Sequence, residues 1–113
     1  MYDEQQVEVT ELFKIGQELF EIAKLAEEKQ DWQNANCLLD HALSLQKEAV
    51  RCMPQIQTAN RIRIYQAAIT TAMCRRKYQE VKKLIKEALP EMPEGDLRKD
   101  LEETYCILEH TAC

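Results

Sequence analysis

The chain has 113 residues, a formal net charge of −5, and only 2 glycines and 3 prolines. That length suits one domain with one modest core, and an abundance of Leu, Ala, Glu, Lys and Gln points to helix throughout. No apolar run of about 18 residues could span a membrane and the acidic, polar N-terminus is unlike a secretory leader, so a soluble protein of the cytoplasm is expected.

A first helix is expected from about Gln5 to Lys29. Val9, Leu12, Phe13, Gly16, Leu19, Phe20, Ala23 and Ala26 recur at steps of three and four and form an apolar stripe. Gly16 costs about 1 kcal/mol relative to Ala, a cost that makes sense where another backbone comes close. Gln30 and Asp31 break the helix, and Asp31 can accept a free amide of a second helix running to about Cys52. Trp32, Ala35, Leu39, Ala42, Leu45, Ala49 and Met53 form its expected inner side. Met53 stops it, because the residue before Pro54 is pushed out of the helical region.

A third helix is expected from about Ile56 to Arg76, with Ile62, Tyr65, Ile69 and Ala72 on one face. After an Arg75-Arg76-Lys77 corner, a fourth runs from Tyr78 to Leu89. Pro90, Pro93 and Gly95 mark a loop. Asp96 is then expected to cap a fifth helix carrying Leu97, Leu101, Tyr105, Leu108 and Ala112 on one face. No strand pattern is present. The short connections predict that successive helices are antiparallel neighbours.

One face is written twice. Trp32, Ala35, Leu39 and Ala42 are echoed by Tyr78, Val81, Ile85 and Ala88, each 46 residues on. The spacings of 3, 4 and 3 belong to one helix face, and its recurrence implies a duplicated helical unit. The stretches from Asp31 to Leu43 and from Lys77 to Leu89, with Pro93 beyond, resemble the second helix of the tetratricopeptide repeat, a helix pair of about 34 residues. Leu19, Ile22, Ala23 and Ala26 match the first helix of one such unit. Tyr65, Ala68, Ile69 and Ala72 match that of the next less closely, because Ile69 stands where Gly or Ala is usual. The likeness covers residues 12–93, its period of 46 is longer than the family's, and Lys47 stands where the first unit's closing Pro belongs.

The resemblance implies an all-α domain of two enlarged units, about 5–53 and 55–93, with a capping helix at about 96–112. The alternative is an ordinary five-helix bundle with an accidental echo. In the family, the first helix of each unit lines a concave groove that holds a partner's peptide or helix. By that match the groove side carries Phe20, Lys24, Glu27, Arg63, Gln66, Thr70 and Met73. The Asn and Lys set with which chaperone-binding members grip a terminal carboxylate is not visible.

Charge is segregated along the chain: residues 1–50 carry −7, residues 51–89 carry +7 and residues 90–113 carry −5. The basic band contains Arg61, Arg63, Arg75, Arg76, Lys77, Lys82, Lys83 and Lys86. Such a band could grip phosphates, but the flanking acidic blocks would repel a polyanion and stacking aromatics are few. An acidic protein partner, or the chain's own acidic helices, is the favoured counterpart, and nucleic acid is disfavoured.

Cys37, Cys52, Cys74, Cys106 and Cys113 are odd in number and form no CxxC pair, as free thiols of a reducing compartment do. Cys37 with His41 and Cys106 with His110 have the spacing of zinc ligands on a helix. Their helical phase turns both pairs away from the core faces, so no metal and no cofactor is expected. A Cys–His nucleophile would need a cleft and an orienting third group, and no glycine-rich phosphate loop is present. The expected function is a non-enzymatic adaptor or scaffold domain for protein–protein interaction. The alternative is a self-associating, homo-oligomeric helical bundle with a structural or regulatory role.

Overall fold

The computed structural model describes residues 4–53 and 58–110, with side chains described from Val9 onward. Five α-helices follow one another: α1 (Glu4–Glu28), α2 (Trp32–Cys52), α3 (Thr58–Cys74), α4 (Tyr78–Ala88) and α5 (Asp96–His110), with a 3-10 turn at Leu89–Glu91 before α5. No strand occurs among the described residues, and no helix is long and apolar enough to cross a membrane. Each helix packs on the next, and α1 also touches α3. Residues 54–57, where the third helix was expected to begin, and residues 111–113, including Ala112 and Cys113, lie outside the described residues.

Asp31 caps α2 as its sequence position implies: its carboxylate accepts from the Asn34 amide at 3.4 Å and from the Asn34 side chain at 2.7 Å. Gly16 meets α2 closely. A Cβ placed there would lie 3.2 Å from Cγ of Gln46 and 3.5 Å from the Ala42 carbonyl oxygen. This contact accounts for a glycine in mid-helix.

The 46-residue echo extends to the backbone. Gln30 has φ of 60° and Arg76, 46 residues later, has φ of 56°. Both end a helix in the same way, with Asp31 N–H donating to the Ala26 carbonyl at 2.9 Å and Lys77 N–H donating to the Ala72 carbonyl at 3.0 Å. Such a six-to-one bond after a left-handed residue closes a helix C-terminus. Burial repeats as well, since Ala35, Leu39 and Ala42 are as deeply enclosed as Val81, Ile85 and Ala88.

Three expectations are corrected. Trp32, placed on the inner side of α2, is 57% exposed, and its counterpart Tyr78 is 42% exposed. Each is the first residue of its helix, and side chains lean toward a helix N-terminus, so both rings overhang the packed region. Asp96 is the first helical residue rather than the cap. The Gly95 carbonyl accepts the first helical bond, from Lys99 N–H at 3.1 Å, at a φ of 156° that favours glycine. Asp96 lies in the first turn instead, where its charge faces the positive helix end. Finally, α3 stops at Cys74 and α4 at Ala88, because Arg76 takes up left-handed backbone at the corner and Leu89 begins the 3-10 turn.

The main core is shared by α2, α3 and α4, with Leu43, Val50, Ile64, Tyr65, Leu84 and Ile85 among its members, and Val9 of α1 joins it. Arg61 is almost as deeply placed, at 8% exposure. Its guanidinium donates to the carbonyls of Val50 at 2.9 Å and Met53 at 2.6 Å and pairs with both oxygens of Glu91, at 2.6 and 3.1 Å. The last carbonyls of a helix have no partner within it, so Arg61 completes the end of α2 and ties it to the turn before α5.

Candidate functional site

A groove of about 370 Å³ opens between α1 and α3. Phe13, Gln17 and Phe20 come from α1; Arg63, Gln66, Ala67 and Thr70 come from α3. The α1 residues are spaced 4 and 3 apart and so share one side of the helix. From below, the buried Gln46 of α2 donates to Oε1 of Gln17 at 3.2 Å. Thr70 donates its hydroxyl to the Gln66 carbonyl at 2.9 Å. Two aromatic rings thus face amides, and Arg63 is exposed with no ion-pair partner among the described residues.

Four of the seven residues expected on the groove side, Phe20, Arg63, Gln66 and Thr70, are brought together here. The other three, Lys24, Glu27 and Met73, are not part of this lining. Lys24 pairs with Glu27 at 3.4 Å, lies 5.3 Å from the Phe20 ring centroid and donates to Sγ of Cys74 at 3.1 Å. The hydrogen bond to Cys74 raises the Lys24 ammonium above its ordinary value. Lys24 therefore bridges α1 to α3 at the end of the groove. Met73 is 40% exposed. Phe13, Gln17 and Ala67 were missed as site residues. Phe13 was assigned only to the core stripe, although its spacing of 7 from Phe20 is the signal that one face of α1 continues toward the N-terminus.

Half of the basic band is neutralised within the chain. Arg61 pairs with Glu91 at 2.6 Å, Arg75 and Lys77 share Asp40 at 2.8 and 3.1 Å, and Lys82 reaches Glu109 at 3.6 Å. The acids come from both flanking blocks. Hydrogen bonding from Arg75, and then from Lys77, holds the Asp40 carboxyl below its ordinary value against the opposing effect of burial. Arg63, Arg76, Lys83 and Lys86 have no ion-pair partner among the described residues. A larger concavity of about 660 Å³ lies among α2, α3 and α4. Its charged wall is largely self-satisfied, with Lys47 donating to Glu80 at 2.9 Å and Arg61 held as described.

Cys37, His41, Cys106 and His110 are all exposed, as their helical phase implied. His110 contacts the Cys106 carbonyl through Nδ1 at 2.7 Å. Among the described residues no three His, Cys, Asp or Glu side chains converge as a metal site would require. Cys37, Cys52, Cys74 and Cys106 form no disulfide among the described residues. No protein-family model matches the chain, and no curated protein or solved structure matches it.

Proposed function

We propose that the protein is a non-enzymatic adaptor that holds a segment of a protein partner in the groove between α1 and α3. The observation that carries this reading is the convergence of Phe13, Phe20 and the exposed Arg63 on one concavity. Phe13 and Phe20 offer an apolar floor for a side chain of the partner, and Arg63 offers a bidentate donor for a carboxylate. The preferred ligand is accordingly a segment with an apolar residue next to an Asp or Glu.

The scaffold is read as two enlarged tetratricopeptide-like units of antiparallel helices capped by α5. The twin left-handed corners at Gln30 and Arg76 and the matched burial in α2 and α4 support it. Four cysteines without a disulfide among the described residues fit a reducing cytoplasm.

The test is capture of partners from the native host lysate, at low and high salt, with the wild-type chain and with Arg63→Glu. Arg63 is exposed and has no ion-pair partner among the described residues, so the variant keeps the helical circular dichroism of the parent. Its affinity for the captured protein is expected to fall about tenfold, mostly through slower association. Unchanged capture by Arg63→Glu overturns the groove assignment. Lys24→Glu is a poorer probe, because it also cuts the link to Cys74.

A further inference from the structure

One flank of α1 is apolar yet uncovered. Ile15 is 43% exposed, Ile22 50% and Leu25 56%. At about 100° per residue, Leu19, Ala26, Ile15 and Ile22 fall roughly 60–120° to one side of Gly16, while Phe13, Gln17 and Phe20 of the groove fall to the other. The flank is a helix-packing face by its own internal comparison. The residues 46 positions on from Leu19, Ile22 and Ala26 are Tyr65, Ala68 and Ala72. Those three are buried, at 4%, 0% and 0% exposure, in the core that α3 shares with α2 and α4. The same positions on α1 are more open: Ile22 is exposed, and Leu19 and Ala26 are only half-buried.

The stripe has the pattern of a two-helix seam. Leu12, Ile15, Leu19, Ile22, Ala26 and Lys29 are spaced 3, 4, 3, 4 and 3, the a and d register of a coiled coil. Glu11, Glu18 and Leu25 precede Leu12, Leu19 and Ala26, in the flanking g register. We propose that two copies of this chain pair through antiparallel α1 helices along this seam. A two-fold axis between Leu19 and Ile22 sets each of these against the other in the second copy and sets Ile15 against Ala26. It also carries Lys29 of one copy to the Leu12 and Glu11 end of the other, where the lysine stem covers the leucine and the ammonium meets the carboxylate. A parallel, in-register pair would oppose Lys29 to Lys29 and Glu11 to Glu11, so charge selects the antiparallel arrangement. Neither Glu11 nor Lys29 has an ion-pair partner within the protomer among the described residues. The contact spans about 25 Å of helix and leaves the groove open, so it stands or falls apart from the adaptor reading.

Sedimentation of the full chain up to sub-millimolar concentration tests the proposal. The wild type is expected to show a monomer–dimer equilibrium. Ile22→Glu should raise the dimer Kd about a hundredfold by placing two carboxylates in the apolar seam, with helicity and melting temperature retained because the site is exposed. Lys29→Glu should raise Kd about tenfold, and adding Glu11→Lys to the same chain should restore it. Arg63→Glu should leave the dimer intact. A chain that stays monomeric throughout, or a dimer indifferent to Ile22→Glu and Lys29→Glu, overturns the proposal.

Discussion

Gln30 and Arg76 hold left-handed backbone where glycine is the usual occupant of a helix end. A Cβ in that conformation crowds the following carbonyl, at a cost of about 1 kcal/mol. Both residues are at the surface, and replacing Gln30 removes no contact of the core. Gln30→Gly is therefore expected to stabilise the fold by about 1 kcal/mol, less the backbone entropy that glycine adds to the unfolded chain. A lower melting temperature for the variant would show that the Gln30 side chain contributes something the turn does not. Gln46 presents the opposite case. It is fully enclosed beneath Gly16, its Nε2 donates to Gln17, and its Oε1 has no hydrogen-bond partner among the described residues. A buried acceptor left unpaired costs about 1–3 kcal/mol. Met has a similar length and volume and carries no such acceptor, so Gln46→Met should be neutral or stabilising in chemical denaturation. A loss of more than about 1 kcal/mol would mean that the Gln17–Gln46 bond outweighs the orphaned oxygen.

Between elements, the clearest electrostatic tie is Asp40 of α2, which Arg75 and Lys77 reach from the corner between α3 and α4 at 2.8 and 3.1 Å. Lys47 of α2 reaches Glu80 of α4 with the charges reversed, and its hydrogen bond also lowers that carboxyl. A carboxyl whose value is lower in the folded state contributes stability that is complete above its unfolded value, about 4. That contribution is lost as pH falls through the folded value. Asp40 is two-fifths exposed, so solvent screening limits its pairing to about 0.5–1 kcal/mol. Asp40→Asn should cost that much at pH 7, and the gap between wild type and variant should close in acid. A gap that persists in acid would assign the loss to packing instead. Helix-level organisation was legible in the sequence wherever it is local. The Asp31 cap, the Met53 stop and the repeated face each depend on neighbours within a turn or two. Arg61 was not legible, because its partners are the open carbonyls of another helix and a carboxylate 30 residues away. Sequence shows its charge and not that use. Trp32 misled for a related reason: its spacing fits the buried face, and only the end of the packed region leaves it exposed.

On the scale of the whole molecule, burial is uneven along the stack. The extents are 46 × 31 × 20 Å, and 20 Å is about two helix diameters, so every helix has a face near solvent. α2, α3 and α4 each contribute several enclosed residues, whereas α5 contributes none. It meets the core through the partly buried Leu101, Tyr105 and Leu108. Arg98 donates to the Met92 carbonyl at 3.0 Å and Lys82 reaches Glu109 at 3.6 Å, adding a polar tether at each end. The groove residues come from α1 and α3 and none from α5, so the groove does not depend on how α5 is seated. Regions with few buried apolar contacts open with the smallest free energies. Hydrogen exchange should therefore release the α5 amides well before those of α2 and α3. Releasing α5 uncovers part of the α4 surface it packs on but leaves the Phe13, Phe20 and Arg63 lining in place. Exchange of α5 in step with α3 would make the five helices one cooperative unit. Capping would then be integral to the fold rather than a cover laid over it.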